Sequence, residues 1–229
     1  DALQDVNMVC DVNSTIVMPE TVNAIMTDGS LSAVPVVWDV TEEKLQAMST
    51  GGAQKYEIDG TADGMSAKAY ISVVEFNYLK NDSFEQGDLT GWEVNDIGGA
   101  EQLYVEDKVT DSLTGTWHMH FWSAAQNSVE FTLEQKVQDL PGGKYKFTIS
   151  IMGGDAGEHE VFAYAKVNGE YYTTNTLEIT TYGNWDTVTL RNIELTQGDE
   201  LTVGIYVCCS GAGNGAWGKI DDAMLNSDN

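Results

Sequence analysis

Apolar and polar residues alternate along most of this chain. In the stretch 117–122, Trp117, Met119 and Phe121 fall on one face of an extended strand, and His118, His120 and Trp122 on the other. In 144–152, Tyr145, Phe147, Ile149 and Ile151 oppose Lys146, Thr148, Ser150 and Met152. In 161–167, Val161, Ala163, Ala165 and Val167 oppose Phe162, Tyr164 and Lys166. In 201–209, Leu201, Val203, Ile205, Val207 and Cys209 oppose Tyr206 and Cys208. Helical periodicity is confined to one short segment, 41–50. Elsewhere short β-branched and aromatic runs are separated by Gly, Asn and Asp, the pattern of an all-β chain.

The strands fall into two groups, with a boundary near Phe76-Asn77. Residues 1–76 hold strand-like runs at 32–39, 51–58 and 67–74, which suit a small sandwich. The first dozen residues fit an extra strand or a tail. Residues 77–229 hold candidate strands at 100–106, 117–123, 128–138, 143–152, 161–167, 177–179, 185–195, 200–208 and 219–225. Short strands at such spacing predict two packed sheets in a jelly roll.

Charge narrows the partners. Only 11 basic residues face 36 acidic ones over 229 residues, a net charge of −25. Nucleic acid and anionic membranes demand Lys and Arg, so the charge argues strongly against the first and disfavours the second. The apolar runs are too short to insert into a bilayer. A neutral glycan or a divalent cation stays compatible. No signal-peptide pattern opens the chain, and Asp1 reads as a fragment boundary. Cys208 and Cys209 are too close for relaxed disulfide geometry and Cys10 lies in the other domain, so all three read as free thiols.

The outward-facing residues carry the candidate chemistry. A pyranose offers an apolar C–H face and a rim of hydroxyls, which suits a flat aromatic ring edged by short polar side chains. Trp122, Met152, Tyr164, Lys166 and Tyr206 line a common groove if their strands are neighbours. Two glycine-rich loops, Gly153-Gly154-Asp155 and the run from Gly211 through Asn214 to Trp217, let backbone approach a ligand. Neither is a phosphate loop, because no Gly-Lys-Ser/Thr and no helix follows. The sugar-binding candidates are Trp122, Asp155, Asn214 and Trp217, then Gln126, Tyr164, Lys166 and His120. Glu85 stands near the start of the second domain and Asp221-Asp222 in its last strand; in a sandwich these ends can be neighbours, and a calcium ion bound by oxygens would staple them. The competing reading is ordinary surface charge. Zinc is disfavoured, because the histidines and cysteines lack ligand spacing. No Ser/His/Asp motif stands out. Among 36 acids some pair always matches a glycosidase separation, so that count carries no information.

Two resemblances sharpen this reading. Asp28-Gly29-Ser30, Val34-Pro35-Val36-Val37-Trp38 and Tyr56-Glu57-Ile58-Asp59-Gly60-Thr61 resemble the pattern of bacterial immunoglobulin-like domains, which commonly serve as spacers. Asn81-Asp82-Ser83-Phe84-Glu85-Gln86-Gly87 with Trp92 resembles the opening of galactose-binding-like modules. His120-Phe121-Trp122-Ser123, the run from Phe131 to Val137, Leu140-Pro141-Gly142-Gly143-Lys144-Tyr145, Met152-Gly153-Gly154-Asp155 and the run from Gly215 to Asp222 are similar to family 61 carbohydrate-binding modules, which accompany family 53 endo-β-1,4-galactanases. The resemblance implies an immunoglobulin-like β-sandwich followed by a galactose-binding-like jelly-roll β-sandwich. It also implies a non-catalytic module that binds β-1,4-galactan or galacto-oligosaccharide. A structural Ca2+ on Ser83, Glu85 and Asp222, a catalytic domain in the same parent chain, and a monomeric, secreted or cell-surface protein follow from it. The alternative is a surface adhesin or structural array of different sugar specificity.

Overall fold

The computed structural model describes residues 2–179 and 181–228; Asp1, read above as a fragment boundary, lies outside the described residues. The chain divides into two compact units, residues 1–76 and 77–229. Among the described residues it is all-β apart from one short helix. That helix is not long and apolar enough to cross a membrane.

In the first unit β1 (Ala2–Leu3), β3 (Thr21–Ile25) and β4 (Leu31–Pro35) form one sheet. β2 (Val6–Asp11), β5 (Val37–Trp38), β6 (Gln54–Ala62) and β7 (Met65–Val74) form the other, in the order β2-β7-β6-β5. The first dozen residues therefore supply strands, and β2 runs parallel to β7. The single strand expected over 32–39 is instead two, one in each sheet. Pro35 has no N–H to continue the ladder, and the Val36 N–H goes to the Glu20 carbonyl at 3.0 Å. The helix α1 (Glu42–Thr50) starts where expected, because the Thr41 hydroxyl caps the Lys44 N–H. Trp38 packs with Ile58, Ile71 and Met48 in the core and donates its indole N–H to the Pro19 carbonyl at 2.8 Å. Gly60 makes that packing possible: a Cβ there would sit 2.6 Å from the Trp38 ring.

Among the described residues the second unit contains ten strands. β8 (Glu93–Asp96), β9 (Gln102–Asp107), β10 (Trp117–Trp122), β11 (Val129–Val137) and β12 (Gly143–Gly154) are followed by β13 (His159–Val167), β14 (Glu170–Thr173), β15 (Asp186–Leu195), β16 (Leu201–Cys209) and β17 (Trp217–Ser227). They form two antiparallel five-stranded sheets, β15-β12-β17-β10-β9 and β14-β13-β16-β11-β8. The inner alternation set of each strand fills one core: Phe121, Phe131, Leu133, Phe147, Ile149, Val161 and Ile205 are fully buried. The expected strand at 177–179 does not form, and only isolated bonds such as Leu177 N–H to the Val161 carbonyl hold that stretch beside β13.

The Asn81–Trp92 signature is a knot of turns. Asn81 accepts from the Gln86 N–H, donates to the Asp88 carbonyl, and offers its own carbonyl to the Trp92 indole at 2.9 Å. Phe84 is buried against Trp92, with ring centroids 5.6 Å apart. Asn77 ties this knot to the end of the chain: its side chain donates to the Ala223 carbonyl and accepts from the Leu225 N–H. The opening segment and the last strand are therefore neighbours.

Candidate functional site

Strand register builds the first site. Gln102 on β9, Trp122 on β10, Trp217 on β17 and Gly154 on β12 pair successively and form one row across the end of the sheet. Adjacent strands lie ~4.8 Å apart, so the two indoles stand side by side. Both are partly exposed. Trp217 lies over Gly154, where a Cβ would come within 3.0 Å of the ring, and Tyr182 tilts against it at 6.2 Å between centroids.

Three loops surround this row. The backbone of Asp155 accepts from the Ala212 N–H at 2.7 Å, and its carboxylate accepts from the Asn214 N–H at 3.3 Å. The 211–217 loop can only pass here with glycine: at Gly215, in the left-handed region, a Cβ would lie 2.1 Å from the Ser123 carbonyl. The Glu101 carboxylate braces the third loop by accepting from the Ala124 N–H and the Asn127 side chain at 2.9 and 2.7 Å. Gln126 is exposed at its tip. Trp122, Gln126, Asp155, Asn214 and Trp217 thus share one end of the sandwich, with partly exposed aromatics, a carboxylate and two amides. Glu101 was missed in the sequence, because a brace between two loops leaves no local pattern.

A buried polar layer continues the same sheet face. Lys219 is paired with Glu106, donates to His120 Nδ1 at 2.7 Å and lies 3.7 Å from Asp111. His120 Nδ1 therefore accepts, and its Nε2–H is left to donate to Gln102 at 3.0 Å. Both ring nitrogens are spent inside the protein, so His120 supports the site and presents no free polar atom to a sugar. His118 is fully buried between Ser112 and Glu106. Burial, then the charge of Lys219, brings the His120 pKa down to about 4. Burial raises Glu106, but Lys219 and His118 outweigh it and leave that carboxyl below its usual range.

This layer predicts acid sensitivity. Lys219, His118 and Lys108 oppose a proton on His120, while Glu106 favours one. Unfolded His120 takes up a proton near pH 6.5, whereas folded His120 does so only near 4. The neutral form thus contributes stability above pH 6.5 that is lost as the pH falls towards 4, by about 3 kcal/mol if the shift is fully realised. Urea unfolding at pH 7 and pH 4.5 checks this. His120→Gln is expected to flatten the difference; an undiminished difference would place the sensitivity elsewhere.

Two expected site residues lie elsewhere. Tyr164 and Lys166 are on β13, in the sheet opposite Trp122. The common groove of Trp122, Met152, Tyr164, Lys166 and Tyr206 therefore does not exist: β10 and β12 belong to one sheet, β13 and β16 to the other, and the core separates them. Met152 is itself buried, its sulfur accepting from the Gly183 N–H.

The acids at the two ends of the domain converge on the loop between β9 and β10. Glu85 accepts from the N–H groups of Thr116 and Trp117 at 2.9 and 2.8 Å. Asp222 accepts from the Thr114 hydroxyl at 2.6 Å. Asp221 is fully buried and accepts from the Leu113 and Thr114 N–H groups. A bulge in β17 opposite β12, with Asp222 at φ 47°, is what lets neighbouring acids serve one loop. Among the described residues no cation pairs with Glu85 or Asp222, and no three His, Cys, Asp or Glu side chains form a metal cluster. The side-chain oxygens near Thr114 are carboxylates and a hydroxyl, a set that fits a hard cation and not a soft one.

Residues 3–65 match the model of a bacterial Ig-like domain, group 4. No curated protein matches the chain in sequence. Among solved structures, a family 61 carbohydrate-binding module in complex with β-1,4-galactotriose is 29% identical, with a TM-score of 0.53 over 67% of this chain and 99% of that one. The enzymatically active domain of a bacteriophage CBA120 tailspike protein is 10% identical, with a TM-score of 0.50 over 66% of this chain and 21% of that one. The second likeness concerns the fold alone. The first couples the same fold to a quarter or more of shared residues, so the chain is similar to an immunoglobulin-like domain in its first unit and to a family 61 carbohydrate-binding module in its second.

Proposed function

We propose that residues 77–229 are a non-catalytic module that binds β-1,4-galactan and holds an attached glycoside hydrolase, of the family 53 endo-galactanase kind, on pectic galactan. The observation that carries this reading is the Trp122–Trp217 row, framed by Asp155 and Asn214, in a chain 29% identical to a module seen with galactotriose. The two indoles offer stacking faces, and the loop carboxylate and amides offer partners for ring hydroxyls. Tethering raises the local concentration of substrate for the enzyme without any further contact. The immunoglobulin-like unit acts as the spacer, and the protein works as a monomer outside the cell or at a bacterial surface. Calorimetric titration with galactan, arabinogalactan, xylan and mannan tests the specificity. Binding to galactan above the others is expected; binding to xylan and not galactan would overturn the galactan assignment and keep the module.

We also propose a structural calcium ion held by the side chains of Glu85 and Asp222 and the Ser83 carbonyl. It would neutralise acids drawn together from both ends of the domain and lock the loop between β9 and β10. Removing the ion with a chelator is expected to lower the melting temperature by several degrees, on the order of 4 °C for each ~1 kcal/mol lost. An unchanged midpoint after verified metal removal would remove the staple.

A further inference from the structure

The outer face of the second sheet carries an aromatic-lined groove that the loop-end site does not use. Its centre is Gly204, in the middle strand β16. Register places Tyr164 on one side of Gly204 and Glu134 on the other. A Cβ at Gly204 would lie 2.9 Å from that of Glu134, so only glycine leaves this floor low. The Tyr164 hydroxyl reaches across it and donates to Glu134.

Two rows of side chains rise beside the floor. Phe162, Tyr206, Thr132 and Asn95 pair successively across four strands. The Phe162 and Tyr206 rings lie 5.1 Å apart and tilted by 33°, and Tyr206 donates to Glu130 at 2.9 Å. The other row has Tyr171 and Lys166, with the ammonium 5.4 Å above the ring. Tyr171 is 59% exposed at the rim. Together these residues enclose a groove of about 490 Å3 that crosses the strands. Five strands give it a length of ~19 Å, enough for several sugar rings.

We propose that this groove is a second carbohydrate-binding site, taking an unbranched neutral oligosaccharide, on the face opposite the Trp122–Trp217 row. The inference rests on the reading of residues 77–229 as a carbohydrate-binding module. The ligand class follows from the lining. Tilted aromatic walls match the C–H faces of pyranoses, and the Thr132 and Tyr206 hydroxyls with Asn95 match a hydroxyl rim. Glu134 and Lys166, 3.9 Å apart, offset each other, and a chain of net charge −25 repels polyuronates. A peptide strand would pair along a sheet edge and not lie across its face. Two sites facing away from each other bind two glycan chains at once, which adds avidity on a polysaccharide surface.

The test titrates galacto-, xylo-, cello- and manno-tetraoses into the wild type, a Trp122→Ala/Trp217→Ala variant, a Tyr171→Ala/Phe162→Ala variant, and the variant that combines all four substitutions. Melting curves accompany each titration, and Tyr171→Ala alone serves if Phe162→Ala does not fold. The loop-end variant is expected to keep binding at least one tetraose, and the added groove substitutions to weaken it about tenfold or more. If Trp122→Ala/Trp217→Ala abolishes all binding and the groove substitutions alone change none, the second site is overturned and the module reading stands. A wild type that binds no tetraose removes both.

Discussion

Trp217→Ala is expected to weaken galactan binding by about 2 kcal/mol or more, roughly thirtyfold, with Trp122→Ala close behind. The argument is geometric. Trp217 lies close over Gly154, and Tyr182 packs against it at a tilt of 46°, so its orientation is fixed before a ligand arrives. A ring that is already placed loses little side-chain freedom on binding, and its stacking energy then appears as affinity. Trp122 is paired with it across the strands and extends the same surface. The double variant is expected to lose measurable galactan affinity at the loop end. Calorimetry gives the affinities, and thermal unfolding reports whether the fold persists. Full galactan affinity in both folded single variants would place the galactan site away from this row.

Lys219→Ala is expected to cost about 3 kcal/mol or more of stability, because it leaves buried carboxylates without their cation. The Lys219 side chain is only 5% exposed and touches Glu106, His120 and Asp111 at once. Glu106 keeps partial solvent access, and Asp111 retains Lys108 at 2.7 Å, which limits the loss. Lys219→Met with Glu106→Gln is expected to recover much of it, since neither charge then remains unpaired. Chemical denaturation of the wild type, both single variants and the double variant measures the coupling. Additive effects would show that Lys219 acts through packing alone. His118 and His120 lie in contact with Glu106 and Lys219, so the same substitution is expected to ease protonation of His120.

Alternation was enough to identify which side chains enter the core. Tyr145, Phe147, Ile149 and Ile151, placed inward from the pattern, are all nearly or fully buried. It could not say what covers the other face: Met152 lies on the outward set and is buried all the same, because the chain around Gly183 folds over it. β8 and β14 escaped notice for a different reason. They are short edge strands, mostly exposed on both faces, so they carry no apolar period. Strand pairing was the largest gap. Trp122 and Tyr164 show the same kind of outward aromatic, and nothing local records that their strands lie in opposite sheets. The loop-end group was more legible, since Gly154, Gly213 and Gly215 mark places where backbone and side chains approach closely. The acids were legible one by one, whereas the bulge that turns Asp221 and Asp222 onto one loop was not.

β17 is the last strand of the second unit among the described residues, yet it sits in the middle of its sheet, between β12 and β10, and Asn77 at the domain's beginning is bonded to it. During synthesis, β10 and β12 must therefore wait with bare edges until residue 227 has left the ribosome. The second unit cannot consolidate strand by strand as it emerges, and its slow, long-range closure falls after translation of the whole domain. Removing residues 218–229 would not shorten the sheet but split it, so a cut there would discard the module outright.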